Sequence, residues 1–350
     1  MKDVNIAWLV KPNIRSLRAY QAEEVPCKVK LDANESPYSA FSVQRSAFSV
    51  KKALQLLNRY PDPQATSLRK LMAKELKVKP KKILHGNGSD ELIYYLIATF
   101  GGPVLYPVPT FSMYGIISQA LDERKVEIPL DDEFDIDIEK TIAAIKKFKP
   151  KLIFLSSPNN PTGNCFSSNR ILKIIEGAKG IVVVDEAYQP FSDKASFTPL
   201  LEKFKNLVIL RTLSKIGLAG LRLGFLIANK DVINEVNKVR LPFNVNSLSQ
   251  AVAIDALKNK KQMRSNIASV ISERKRLFSS MENIEGITPY PSDANFILFK
   301  TANTEQVYKN LLKRGVFIRN MTAAVKDCLR VTVGTSKENK IFLKTIKDIS

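Results

Sequence analysis

Lys215 is the residue whose setting departs most from that of an ordinary surface lysine. It leaves the apolar run Leu207–Leu210 through Arg211-Thr212-Leu213-Ser214 and is followed by the apolar, glycine-spaced Ile216-Gly217-Leu218-Ala219-Gly220. An amine desolvated in such a place is a competent nucleophile toward an aldehyde. Asp185 closes a second apolar run, Ile181–Val184, and a carboxylate set against a core is costly unless it meets a cation. The two lie 30 residues apart (215 − 185), about one strand-helix-strand repeat. Gly86-Asn87-Gly88-Ser89-Asp90-Glu91 reads as a glycine-rich turn opening a helix, whose free N–H groups and positive end suit a phosphate. Ser214 and, seven residues after Lys215, Arg222 suit the same anion. An amine, a carboxylate for a pyridinium nitrogen and a phosphate cradle are what pyridoxal phosphate requires. Taken singly, each cluster also reads as a plain turn, a helix cap or an ion pair.

The elements that must position these residues follow from hydrophobic patterning. Short apolar, β-branched runs alternate with longer amphipathic stretches, the pattern of an α/β fold with a mostly parallel sheet. Strands are expected at Lys82–His85, Val104–Tyr106, Lys125–Ile128, Leu152–Ser156, Ile181–Val184, Leu207–Leu210 and Leu223–Ala228. Helices are expected at Asp90–Thr99, Phe111–Leu121, Ile138–Phe148 and Asn169–Glu176. Four of the strands run into polar clusters: Gly86–Glu91, Ser157–Gly163, Asp185–Tyr188 and Arg211–Lys215. Ligands of open parallel sheets bind beyond the carboxyl ends of strands, so the four clusters point to one shared site. From about Asp231 the pattern changes. Two long helical stretches, Ile233–Lys258 (interrupted at Pro242) and Gln262–Met281, precede strands near Asn295–Phe299, Val316–Ile318 and Leu329–Val333. Helices at Thr304–Arg314 and Lys337–Ile349 complete a smaller α/β unit. The expected division is an N-terminal arm at 1–45 belonging to the small domain, a large domain at 46–260 and a small C-terminal domain at 261–350.

Composition narrows the chemistry. The chain has 350 residues, 45% hydrophobic and 25% charged, enough for about two domains with a sizeable core. The three cysteines, Cys27, Cys165 and Cys328, are too few and too scattered for a disulfide framework or a zinc site, and no metal is expected. The single histidine, His85, leaves no route to a two-histidine site and reads as a satisfied residue at a strand end. The net charge of +20 comes from scattered lysine-rich clusters with no interleaved aromatic residues, so a solvated surface is expected rather than nucleic-acid binding. No secretion signal is read at the start. The longest uncharged run, Leu92–Val108, is broken by Gly101-Gly102-Pro103, so no membrane span is expected and the cytoplasm is the expected location.

The ordered set Ser157-Pro158-Asn159-Asn160-Pro161-Thr162-Gly163, Asp185-Glu186-Ala187-Tyr188, Thr212-Leu213-Ser214-Lys215 and Gly220-Leu221-Arg222-Leu223-Gly224 resembles the fold-type I aminotransferases. Leu31–Tyr38, Arg59–Pro63, Gly86–Glu91 and Leu329–Gly334 resemble the histidinol-phosphate aminotransferase subgroup, and the likeness runs from about Tyr20 to about Gly334. The resemblance implies a large domain built on a seven-stranded, mostly parallel sheet and a smaller α/β domain. It implies a homodimer in which Tyr60 reaches the cofactor phosphate of the partner subunit. Lys215 then holds pyridoxal 5'-phosphate covalently and shuttles the substrate's proton, Asp185 keeps the ring nitrogen protonated, and Tyr188 and Asn160 bond the ring hydroxyl oxygen. Gly88, Ser89, Asp90, Ser214 and Arg222 hold the phosphate, with Thr212 adding a contact. Arg330 binds the substrate's acidic end, Tyr20 and Arg319 contact its phosphate, and Asn34 joins the substrate-binding set.

The implied reaction passes the amino group of L-histidinol phosphate to 2-oxoglutarate, giving imidazole-acetol phosphate and L-glutamate, a step of histidine biosynthesis. The resemblance is imperfect at two places. The ring-stacking position, tyrosine in the subgroup, is Phe111, and the subgroup's Asn-Glu-Asn-Pro-Tyr-Gly reads Asn34-Glu35-Ser36-Pro37-Tyr38-Ser39. A threonine-phosphate decarboxylase or an aromatic-amino-acid aminotransferase would share the cofactor residues. A pyridoxal-phosphate-binding regulator would carry an added DNA-binding domain, for which no residues are left over.

Overall fold

A computed structural model describes residues 10–17, 25–40 and 50–349. In chain order the elements begin with helix α1 (Pro12–Arg15), strand β1 (Val29–Leu31), α2 (Thr66–Leu76), β2 (Ile83–Asn87), α3 (Ser89–Phe100), β3 (Val104–Val108), α4 (Met113–Ala120) and β4 (Lys125–Pro129). Next come α5 (Ile138–Phe148), β5 (Leu152–Ser156), α6 (Ser168–Gly177), β6 (Ile181–Asp185), β7 (Leu207–Thr212) and β8 (Leu223–Ala228). The chain continues through α7 (Lys230–Val239), α8 (Ser247–Lys258), α9 (Lys260–Glu282), β9 (Ile287–Pro289) and β10 (Phe296–Thr301). It closes with α10 (Thr304–Lys313), β11 (Val316–Asn320), β12 (Cys328–Thr332) and α11 (Ser336–Lys347).

Seven strands form one sheet in the order β2-β8-β7-β6-β5-β3-β4. The run from β7 to β4 is parallel throughout, while β8 is antiparallel to both neighbours. Two reversals restore direction, so β2 ends on the same edge as β5, β6 and β7. The strands are apolar throughout because both faces are covered. Leu152, Phe154, Val183 and Val208 face Leu92, Leu96, Val232 and Val236 of α3 and α7, while Ile153, Leu155, Val182 and Val184 face Ile171 and Ile174 of α6.

The second sheet has the order β1-β11-β12-β10-β9. Val29–Leu31 pairs in parallel with Val316–Ile318, so a segment near the start of the chain completes a sheet built near its end. The helical stretch Ile233–Lys258, expected to be interrupted at Pro242, is two helices, α7 and α8. Pro242 lies in the break, and the Asn246 side chain caps α8 by accepting from Ser249 N at 2.8 Å. No helix among the described residues is long and apolar enough to cross a membrane.

Candidate active site

Register brings the strand ends together. Ser156 of β5 lies beside Asp185 of β6, Asp185 beside Leu210 of β7, and Thr212 of β7 beside Gly224 of β8, which in turn faces Gly86 of β2. Beyond that edge opens a pocket lined by Ser89, Asp90, Phe111, Ser156, Asn160, Asp185, Ala187, Tyr188, Thr212, Ser214, Lys215 and Arg222. Ten of these were expected at the site from sequence. Ser156 and Ala187 were not; Ser156 borders the Ser157–Gly163 cluster and Ala187 lies within Asp185–Tyr188, where no role was read for it.

The turn between β2 and α3 is shaped by two glycines. Gly88 has φ +87°, and a Cβ there would lie 2.6 Å from Nη2 of Arg222. A Cβ on Gly224 would meet Gly88 C and Ser89 N at 2.6 Å, so β8 passes against the turn only because that position lacks a side chain. Arg222 reaches across the turn to Asp90, Nη2 to Oδ2, at 3.2 Å. The Thr212 hydroxyl donates to Ser214 Oγ at 2.9 Å and accepts from Ser214 N at 3.1 Å, setting both hydroxyls at the same end of the pocket. Backbone N–H groups at a helix start, two hydroxyls and a guanidinium form a donor set suited to a phosphate.

Asp185 is buried, and the protein groups described in contact with it are uncharged. Its Oδ2 accepts from the Tyr114 hydroxyl at 2.8 Å and its Oδ1 from Ala187 N at 3.0 Å. Burial drives its pKa up to about 6 against these two bonds, with Asp90 and Glu186 adding smaller repulsions. A buried carboxylate with only uncharged donors in contact fits a protonated ring nitrogen in the pocket. Tyr114, fully buried and stacked on Phe154 with ring centroids 4.7 Å apart, was missed from sequence because its spacing fits the apolar face of α4.

Stability should therefore depend on pH through Asp185. A carboxyl whose folded pKa is raised stabilises the fold below its unfolded pKa, and that contribution is lost as pH rises through the folded value. Between the ordinary carboxyl value of 3.8 and about 6, the swing is about 3 kcal/mol at 1.36 kcal/mol per pH unit. Cofactor-free Asp185→Asn should accordingly melt above the cofactor-free parent at pH 8 and lose that advantage near pH 4. Parallel melting curves of the two proteins across this range would contradict the electrostatic picture.

Lys215 is less buried than its sequence setting implied, being partly exposed at the pocket wall. Its Nζ lies 3.4 Å from the Ala33 carbonyl and 5.7 Å from the centroid of the Tyr188 ring. The Tyr188 hydroxyl accepts from Asn34 Nδ2 at 3.0 Å, and its ring packs edge-on against Phe296 at 5.1 Å. Phe111 meets Tyr114 edge-on at 5.7 Å. The Asn34 backbone N donates to Thr332 Oγ1 at 2.9 Å, which seats this segment between the two sheets.

Arg330 reaches from β12 of the second sheet to the loop after β5. Its Nη1 donates to Asn160 Oδ1, its Nη2 to the Asp32 carbonyl at 2.7 Å, and its guanidinium lies 5.2 Å from the centroid of Phe296. With Asn160 Oδ1 so engaged, its amide NH₂ is left to donate. Arg319 is the direct partner of Arg330 across β11 and β12, so the two side chains leave one face of the sheet. Like charges in this position repel, and among the described residues Arg319 has no ion pair, so the face suits an anion. Tyr60 is 82% exposed and does not line the pocket of its own chain. Tyr20 lies outside the described residues. His85 is buried, and burial with the nearby Arg240 and Arg69 lowers its pKa to about 3. It is not fully satisfied as expected, because its Nδ1 has no hydrogen-bond partner among the described residues.

Comparison with known proteins places this geometry. Residues 26–346 match the family model described as aminotransferase class I and II. A histidinol-phosphate aminotransferase of Aquifex aeolicus is 42% identical over 350 residues, covering 97% of this chain and 98% of the relative. One of Caldanaerobacter subterraneus subsp. tengcongensis is 39% identical over 348 residues, covering 97% and 98%. A crystal structure of histidinol-phosphate aminotransferase from Sinorhizobium meliloti in complex with pyridoxal-5'-phosphate superposes with a TM-score of 0.86 at 23% identity, covering 97% of this chain and 98% of that one. At that identity the likeness shows the fold.

Proposed function

This chain belongs to the class I and II aminotransferases, and from that premise we propose that it moves the amino group of L-histidinol phosphate to 2-oxoglutarate with pyridoxal 5'-phosphate as cofactor, in the cytoplasm. The observation that carries the reading is the meeting of Lys215, Asp185 and the Gly88–Asp90 turn in one pocket at one sheet edge. When bound, the cofactor supplies an aldehyde that takes up the substrate amine and a ring that accepts electrons from the adjoining carbon.

The chain's own residues do the rest. Gly88, Ser89, Asp90, Thr212, Ser214 and Arg222 hold the phosphate. Asp185 keeps a proton on the ring nitrogen, and Tyr114 holds that carboxylate in place. Tyr188 and the amide of Asn160 bond the ring oxygen, while Phe111 covers the ring face. Lys215, once its amine is free, would take the proton from the substrate's amine-bearing carbon as general base and return it, as general acid, at the cofactor's aldehyde carbon. Arg330 binds the carboxylate of glutamate or 2-oxoglutarate. Arg319 on the same face, with Asn34 and Tyr20, contributes to the site of the phosphorylated substrate. We assign 46–260 to a cofactor-binding domain and 1–45 with 261–350 to a substrate-closing domain, in keeping with the pairing of β1 with β11.

We infer a homodimer. Leu54, Leu56, Leu57, Tyr60, Leu241 and Phe243 are exposed at 50%, 49%, 60%, 82%, 64% and 39%, apolar area that a second copy would cover. Tyr60, 82% exposed, is the residue of this set that would reach the partner's cradle.

The test is a donor panel at fixed 2-oxoglutarate: histidinol phosphate, histidinol, phenylalanine, tyrosine and threonine phosphate. Histidinol phosphate should lead in kcat/KM, and its dephosphorylated form should trail by roughly 30-fold or more, the loss expected when a charge-assisted partner is missing. Equal turnover of histidinol and its phosphate would refute the substrate assignment. Decarboxylation of threonine phosphate would replace it.

A further inference from the structure

Among the exposed large apolar residues of the described chain Tyr60 is the most open to solvent, yet its ring is not loose. It lies face to face with Phe243, centroids 4.6 Å apart and planes at 21°. Phe243 sits at φ +59°, a region that a bulky residue leaves unless its surroundings hold it. Those surroundings are specific. Arg240 Nη1 donates to Asn244 Oδ1 at 2.9 Å, and Leu241 N donates to the Tyr95 hydroxyl at 3.2 Å. Asn244 Nδ2 donates to Glu91 Oε2 at 2.6 Å, and the same oxygen accepts from Asn87 N at 2.6 Å. Asn87 adjoins the Gly88–Asp90 turn. The chain beyond Tyr60 is anchored separately. The Asp62 carboxylate accepts from Gln64 N at 2.9 Å and Thr66 N at 2.7 Å, and its carbonyl accepts from Gln250 Nε2 at 3.1 Å.

We propose that Phe243 is a positioning residue for Tyr60: its ring is the platform that holds the tyrosine ready for the partner subunit's phosphate cradle, and the Asn244–Glu91–Asn87 link fixes that platform against this subunit's own cradle. The inference rests on the reading that Tyr60 acts across a dimer. The physical reason is preorganisation. An exposed tyrosine free to turn would lose rotamer freedom on engaging the phosphate, and a stacked one has already lost it. The strained backbone at Phe243 aims the ring at Tyr60, with both ends of the loop tied to elements that carry the cradle. An aromatic side chain at 243 is therefore required, whereas another apolar residue of similar bulk would cover surface without ordering Tyr60.

The test measures cofactor dissociation constants by spectral titration of cofactor-free dimers, with dimer content checked by sedimentation. Tyr60→Phe should weaken binding roughly tenfold or more, the loss of a hydrogen bond to a charged group. Phe243→Leu should weaken it roughly threefold to tenfold, the cost of ordering one side chain. Phe243→Tyr, which keeps the ring, should stay within about twofold. The double variant Tyr60→Phe, Phe243→Leu should bind no more weakly than Tyr60→Phe alone, since the platform acts only through the hydroxyl it positions. Wild-type affinity in Phe243→Leu beside a weakened Tyr60→Phe would overturn the platform and leave the crossing tyrosine intact. Losses that multiply in the double variant would also overturn it. Wild-type affinity in Tyr60→Phe would overturn the crossing itself and the platform with it. Should Phe243→Leu dissociate, Asn244→Ala, which keeps the ring and frees its backbone, carries the test by the same criteria.

Discussion

Lys215→Ala should lower amino transfer by roughly 10,000-fold or more while the protein remains folded. Two contributions vanish together. The amine that forms the covalent link is gone, and so is the base that moves the proton at the substrate carbon, a role that by itself is worth roughly 100- to 10,000-fold. The fold should be little affected, because Lys215 is partly exposed and the bond described for its Nζ, to the Ala33 carbonyl, is long at 3.4 Å. The cradle of Ser214, Arg222 and the Gly88 turn is untouched, so the variant should still take up cofactor noncovalently. Small amines added to the buffer should restore part of the rate by entering the space left behind. Steady-state rates with histidinol phosphate and 2-oxoglutarate, beside melting temperatures, check both halves. A loss of less than about tenfold would place the base elsewhere.

The second large effect is expected at Arg330. Its guanidinium bonds Asn160 and the Asp32 carbonyl and lies over Phe296, so its fork is rigidly mounted. Arg330→Ala should cost about 2–5 kcal/mol, or roughly 30- to 5,000-fold in kcat/KM, because an incoming carboxylate is left without its partner. Asn160 loses a neighbour as well, so both half-reactions should fall. Arg330→Lys should recover little, since an ammonium keeps the charge and loses the paired geometry. Arg319→Ala, one strand over on the same face, should chiefly harm the histidinol-phosphate half and narrow the gap between that substrate and histidinol. Half-reactions followed separately by single-turnover absorbance distinguish these patterns. An Arg330→Ala variant that keeps its rate with glutamate would remove this residue from carboxylate binding.

Much of this site was legible before the structure because its residues are local to strand ends. The expected strands Leu152–Ser156 and Leu223–Ala228 and the helix Ile138–Phe148 match the observed elements, and the polar runs after β2, β5, β6 and β7 do converge on one edge. Apolar runs bounded by polar turns carry that information within a few residues. What was not legible is non-local. β1, three residues with Lys30 in the middle, exists because it pairs with Val316–Ile318 at the other end of the chain. Helix α2 begins after Ala65, which caps nothing with its side chain; the cap oxygens come from Asp62. The antiparallel run of β8 has no signature in its own residues, since a buried strand is apolar in either direction. Tyr114 and Asp185 lie 71 residues apart, and only the folded chain puts a hydroxyl on that carboxylate. Phe243 follows Pro242, where the helical pattern is interrupted, and nothing in the sequence marks Tyr60 as its partner.

The central claim is that Lys215 is the amine that carries the cofactor at this sheet edge, and borohydride reduction of the cofactor-loaded protein followed by peptide mapping tests it most directly. The account predicts one reduced, cofactor-bearing lysine per chain, found in the peptide containing Leu213-Ser214-Lys215-Ile216 and absent from Lys215→Ala. A label on any other lysine, or one that persists in Lys215→Ala, would contradict it.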